Sequence, residues 1–221
     1  MKMNDVVMES LDFRHACKEF DNTKQISDED FKVILEAGRL APSSMGLEPW
    51  KFVVIDNQKY KDELGAVSWG GRRQIPTCSK FVVLLTRNGK SLKYDSEYIA
   101  HLLNDIKKVP AEIAAQITET LKSLEIARFD IENRDDLILM YSNTQTHMAE
   151  MNMMSAAALL KIDSCAIGGY DHATLEKILI EEGMLDKNEF EIGTTVAFGY
   201  RKEEPRPKTR QSFEDVVSVI K

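Results

Sequence analysis

The residues of this chain best placed to do chemistry are cations and loop donors. Arg14 and Lys18 stand four apart in Phe13-Arg14-His15-Ala16-Cys17-Lys18-Glu19-Phe20-Asp21. On a helix that spacing puts both charges on one face, where they can meet a single anion. Lys208 and Arg210 stand two apart in Pro205-Arg206-Pro207-Lys208-Thr209-Arg210, so in an extended chain they point the same way and can clamp a phosphate. Ser43 and Ser44 sit in a loop shaped by Pro42 and Gly46, and can offer hydroxyl or backbone hydrogen bonds to a polar ligand. The pair Gly168-Gly169 precedes Asp171 and lets backbone approach a ligand closely. Each segment alone also has a plainer reading: a solvated helix face, an ordinary connection, a basic tail, a turn.

Other chemistries are disfavoured by what is missing. Cys17, Cys78 and Cys165 have no CxxC spacing, and His15, His101, His147 and His172 form no HExxH motif, so no metal site is expected. Free thiols fit a reducing compartment. A formal charge of −7 with no basic run argues against nucleic acid as a partner. No apolar stretch nears the roughly 18 residues that span a bilayer, and Met1 to Ser10 lack the apolar run of a secretion signal. The expectation is a cytoplasmic protein without a membrane partner.

The elements that must carry these residues are legible in outline. Ser27 and Asp30 resemble a capping box, and Phe31, Ile34, Leu35 and Gly38 follow at buried-helix spacing, predicting a helix from about Asp28 to Leu40 that Pro42 stops. A loop, Ser43 to Gly46, then leads into a strand, Trp50 to Ile55. The run Phe81 to Leu85 does not alternate, as expected of a central strand covered on both faces. About Ser96 to Arg128 reads as polar helix interrupted at Pro110. About Leu137 to Leu160 predicts one long helix, with Met148, Met151, Met153 and Met154 as packing filler. Asp171 caps a helix through about Glu182, Gly183 ends it, and Ile192 to Phe198 supplies another strand. With no GxGxxG and no βαβ rhythm, the fold class is α+β, a single mixed or antiparallel sheet sandwiched between helical layers, in one domain over residues 1–221. Trp50 and Trp69 are read as core residues.

Taken together and in order, the segments resemble the nitroreductase family of flavoenzymes, from about Met8 to Val217. The resemblance implies FMN held at the interface of a homodimer, with NADH or NADPH as co-substrate. Arg14 would contact the FMN phosphate or ribityl chain, and Lys18 the pyrimidine end, where a cation near N1 and O2 favours the reduced flavin. Lys208 and Arg210 match the family's basic pair on the phosphate. His15 and Ala16 lie in the first segment, and Ser43, Ser44 and Gly46 in the loop that reaches the partner subunit's flavin. Asp163 to Asp171 matches the loop beside the reactive edge, with Ile167, Gly168 donating to N5, and Gly169 allowing close approach to O4.

Several positions depart from the family pattern: Ala16 for a common Ser, Gly46 for Asn, Ala166 and Gly168 for Pro and Glu, and Gln74 at a position that is Lys in some members. A neutral Gln74 leaves the flavin's potential more dependent on Lys18. The implied activity is ping-pong hydride transfer from NAD(P)H to small, planar, electron-poor acceptors such as nitroaromatics, quinones or flavins, with no side-chain acid or base. A dehalogenase or enoate-type reductase on the same scaffold, with residues 96 to 136 as a lid, and a non-catalytic FMN-storage protein are the alternatives. The long helix is expected at the dimer interface, and the tail from about 205 to 221, anchored by Phe213, Val216, Val217 and Ile220, is expected to extend onto the partner.

Overall fold

The run at 81–85 becomes the middle of a sheet because its side chains are taken up on both sides. A computed structural model describes residues 2–128 and 134–221. Its strands are β1 (Trp50–Ile55), β2 (Lys80–Arg87), β3 (Asp163–Ala166) and β4 (Phe190–Gly199), in the order β1-β2-β4-β3 with every neighbouring pair antiparallel. The helices are α1 (Met3–Phe13), α2 (Asp28–Arg39), α3 (Gln58–Val67), α4 (Gln74–Thr77), α5 (Gly89–Leu92), α6 (Glu97–His101), α7 (Ala111–Ser123), α8 (Asp135–Leu159), α9 (His172–Glu181) and α10 (Phe213–Val216). Single wider turns, Leu102–Ile106 and Leu124–Arg128, extend α6 and α7.

Alternation along β2 divides the interior in two. Phe81, Val83 and Leu85 pack with Leu64 of α3 and Leu175 and Ile178 of α9. Val82 and Leu84 pack on the opposite face with Ile34 of α2 and Ala149, Met153 and Ala157 of α8. All five strand residues are fully buried. At about 1.5 to 3 kcal/mol for each large apolar side chain removed from water, the strand holds both helical layers to the sheet. A third cluster, with Leu92, Leu102, Leu121 and Ile138, joins α5 to α7 to the start of α8.

The local signals act where they were expected. Ser27 accepts a hydrogen bond from the Asp30 amide and caps α2. Asp171 does the same for α9 from Thr174, and Gly183 follows that helix with φ +67°. The long helix α8 runs without a break.

Two sequence expectations change, and one conformation left open is decided. Asp163 to Ala166, read as part of a loop, is an edge strand, because its backbone pairs with Val196 to Gly199 at the end of β4. Arg14 to Phe20 is not helical: α1 stops at Phe13, Arg14 adopts φ −65° and ψ 122°, and isolated bridges tie Ala16 to Ser164 and Phe20 to Arg201. Trp69 is not core; it is 86% exposed, in a turn after α3, whereas Trp50 is half-buried and stacks on Phe52. The part of the suggested lid at 129–133 lies outside the described residues.

Candidate functional site

Helix α1 ends at Phe13, so Arg14 and Lys18 do not share a helix face: Arg14 is extended, and the chain bends at Lys18 and Glu19. What the two cations share is a cavity, which both line.

The segment is fixed from behind by a buried ion pair. Asp163, at the start of β3, is 3% exposed. Arg201, just after β4, donates to it from its backbone N–H at 2.9 Å and from Nε at 2.9 Å, with Nη2 2.8 Å from Oδ1. The same guanidinium donates to the Phe13 carbonyl at 3.3 Å, lies 4.2 Å from the Phe13 ring centroid, and pairs with Glu204 at 3.0 Å. His15 Nδ1 is 3.5 Å from the Asp163 carboxylate. Burial disfavours the Arg201 charge, but its bonds to Asp163 prevail and push its pKa up. One ion pair thus connects the end of α1, strand β3 and the start of the basic tail. Neither residue was singled out from the sequence, since two oppositely charged residues 38 apart carry no local signal.

In front of this pair lies a cavity of about 850 Å³, within the range of about 300 to 1,000 Å³ usual for ligand sites. Arg14, His15, Ala16, Lys18, Lys208 and Arg210 all line it. Its full lining holds six Lys or Arg (Arg14, Lys18, Arg73, Arg206, Lys208, Arg210) against three carboxylates (Glu19, Glu203, Glu204). In a chain of formal charge −7 this local excess of cations favours an anionic ligand. Lys208 donates to the Leu11 and Asp12 carbonyls at the C-terminal end of α1, which anchors the tail. Burial, then the neighbouring Arg14 and Arg210, lower its pKa. Arg210 is exposed, with Nη1 donating only to the adjacent Thr209 carbonyl among the described residues. The Nε of Arg14 is buried without a hydrogen-bond partner. A buried charged donor left unmatched is expensive, which marks this atom at the cavity wall as a candidate for a ligand's acceptor.

Gln74, Ile167, Gly168 and Gly169 belong to a neighbouring face. Gln74 opens α4, and its side chain and Lys18 both favour the charged form of the Cys165 thiol of β3. Burial nevertheless pushes the Cys165 thiol up. Cys17, 1% exposed, is pushed up to about 12 by burial and then by Asp163. The two glycines differ in kind. A Cβ on Gly168 would meet nothing within 4 Å, so this backbone faces open space. A Cβ on Gly169 would fall 2.7 Å from the Gly70 Cα, and the Gly70 N–H donates to the Gly169 carbonyl at 2.8 Å. Close approach at Gly169 therefore serves contact with the 68–71 turn.

Ser43, Ser44 and Gly46 do not line the cavity of their own chain. The Ser43 hydroxyl accepts from the Glu48 amide, the Ser44 amide donates to Gln145 of α8, and Gly46 lies against Lys107. No cluster of three potential metal ligands occurs among the described residues.

FMN fits these donors. Arg14, Lys208 and Arg210 can hold a terminal phosphate, Lys18 lines the same cavity, and Gly168 leaves room for a planar ring system.

The model of the nitroreductase family matches residues 11–200. A protein of Bacillus subtilis (strain 168), YfkO, provisionally named an NAD(P)H nitroreductase, is 43% identical over 214 residues, covering 97% of both chains. A Staphylococcus aureus (strain USA300) protein of the same provisional name is 46% identical over 219 residues, covering 99% of this chain and 97% of its own. Among solved structures, a nitroreductase-like protein from Exiguobacterium sibiricum in complex with FMN superposes with a TM-score of 0.74 at 22% identity, covering 97% of each chain. A cationic segment and a basic tail joined by a buried ion pair line one cavity, beside an antiparallel sheet between helical layers, and with these matches the chain belongs to the nitroreductase family.

Proposed function

We propose that this protein is an FMN-dependent oxidoreductase that takes electrons from NADH or NADPH and passes them to small, flat, electron-poor acceptors. The observation that carries the reading is the buried, unpartnered Nε of Arg14 at the wall of a cavity rich in cations. Arg14, Lys208 and Arg210 neutralise the phosphate, and Lys18 supplies positive charge at the pyrimidine end. When bound, the flavin provides hydride acceptance and donation, chemistry that no side chain here offers. Gln74 holds the ring edge as a neutral donor, and Ile167 and Gly168 present backbone to the reactive edge. His15 lines the cavity, but its Nδ1 is turned to Asp163 and the Phe13 carbonyl, so the chain's part is to bind, orient and supply charge.

We further propose a homodimer in which Ser43, Ser44 and Gly46 reach the other subunit's flavin. Its support is exposed apolar surface: Met3 and Met8 on α1, Met140 on α8, and Phe213, Val216 and Ile220 on the tail. An interface of this kind should bury more than roughly 2,000 Å² in total. The buried free thiols suit a reducing, cytoplasmic setting, and no helix among the described residues is long and apolar enough to cross a membrane.

The test combines the visible spectrum of the purified protein, chromatography of heat-released cofactor, and steady oxidation of NAD(P)H with a quinone or a nitrofuran. FMN release with sustained turnover is expected. Release of FAD, or a single bleaching without turnover, would overturn the reading. Light scattering that gives the mass of one subunit at full FMN occupancy would overturn the dimer.

A further inference from the structure

Trp69, Arg72 and Arg73 are not used by the flavin reading, yet Arg73 lines the same cavity, and Trp69 and Arg72 lie in the turn that leads to it. The indole of Trp69 is 86% exposed, which is unusual for a side chain of that size. It is not loose. Its turn is clipped to the loop at 168–171 by the Gly70 amide on the Gly169 carbonyl at 2.8 Å and by the Asp171 amide on the buried Ser68 hydroxyl at 3.0 Å. Its Cε2 lies 3.0 Å from where a Cβ of Gly169 would stand. A flat aromatic face is therefore held beside the proposed reactive edge.

Four residues further on, Arg73 lines the cavity, and Arg72 beside it is exposed. Among the described residues neither guanidinium donates a hydrogen bond. Arg73 Nη1 makes a loose ion pair with Glu19 at 3.7 Å, beyond hydrogen-bond length, and Lys202 engages the same carboxylate at 2.5 Å and holds its pKa low. With Arg14, Lys208 and Arg210 assigned to one phosphate, Arg73 and Arg72 are cations in excess of what FMN needs.

We propose that Arg73 and Arg72 form a subsite for the 2′-phosphate of NADPH, with Trp69 as the stacking face for a ring of the same nucleotide, so that this enzyme selects NADPH over NADH. The inference rests on the flavin-site reading above. NADH and NADPH share their rings and pyrophosphate and differ only in the added dianion, which is the group that planar guanidinium forks bind best. The Trp69 face acts on both nucleotides, whereas the arginines discriminate.

The test compares kcat/KM for NADPH and NADH in the flavin-loaded wild type, Arg73→Ala, and Arg72→Ala/Arg73→Ala, with FMN content recorded for each. Calorimetric titration with adenosine 2′-monophosphate and with adenosine reports binding without turnover. The wild type should prefer NADPH by about ten- to a hundredfold, the range for charge-assisted bonds to a phosphate. The double variant should lose that factor with NADPH alone, lose the 2′-monophosphate heat, and keep its FMN and its NADH activity. Equal use of the two nucleotides by the wild type, a parallel loss with both, or unchanged 2′-monophosphate binding would each overturn the proposal. A wild type without FMN would instead refute the flavin reading, and the titration would still decide the subsite.

Discussion

Replacing Arg201 by Ala would remove the support behind the cationic segment. Asp163 would keep the backbone N–H of residue 201 and lose the guanidinium bonds from Nε at 2.9 Å and Nη2 at 2.8 Å. The carboxylate is 3% exposed, so water cannot replace what is lost. Breaking a buried pair from one side leaves an uncompensated charge, at a cost of about 3 to 5 kcal/mol. Lost stacking on Phe13 adds about 0.5 to 2 kcal/mol. Against a total stability of roughly 5 to 15 kcal/mol, the variant should be marginal.

Urea titration of wild type, Arg201→Ala and Asp163→Asn/Arg201→Gln measures this, and the double variant should recover part of the loss because no ion is stranded. A loss under about 1 kcal/mol, or a double variant no better than the single one, would refute the assignment of Asp163 and Arg201 as a coupled buried pair.

Further outcomes follow from the same geometry. Arg14→Ala should weaken FMN binding by about 1.5 to 3 kcal/mol while leaving the melting temperature of the FMN-free protein no lower, since the unpartnered Nε is removed; flavin fluorescence and calorimetry check the two halves. Gly169→Ala should destabilise the fold by about 1 to 3 kcal/mol through its clash with Gly70, whereas Gly168→Ala should leave the melting temperature unchanged, because its Cβ enters open space. Cys17 should resist thiol reagents in the native state, its pKa being raised by burial from 9.0 to about 12. A raised folded value stabilises while the thiol stays protonated, so this contribution is complete below pH 9.0 and is lost as pH rises toward 12, which alkaline denaturation of wild type against Cys17→Ala would show.

Local sequence chemistry was enough for the elements. The Ser27 and Asp171 caps, the unbroken stretch that becomes α8 and the doubly buried run of β2 act over a few residues each, and one-dimensional order preserves them. The basic pairs at 14 and 18 and at 208 and 210 could be picked out as anion-binding candidates because residue type is read directly from sequence, and all four line one cavity.

What sequence could not supply was set by contacts between distant segments. Arg14 to Phe20 is not helical, and Ser164 and Arg201, more than a hundred residues away, offer it backbone partners. Asp163 to Ala166 is a strand because the end of β4 pairs with it, four residues being too few to carry a periodic pattern. Trp69 is held at the surface by the Gly70 to Gly169 contact, against the general tendency of large aromatic residues to be buried. Hydrogen-bond partners and burial are properties of the folded chain. Sequence therefore determined which groups could do chemistry, and tertiary structure decided which of them share a cavity, how far apart they stand, and that Asp163 and Arg201 hold them there.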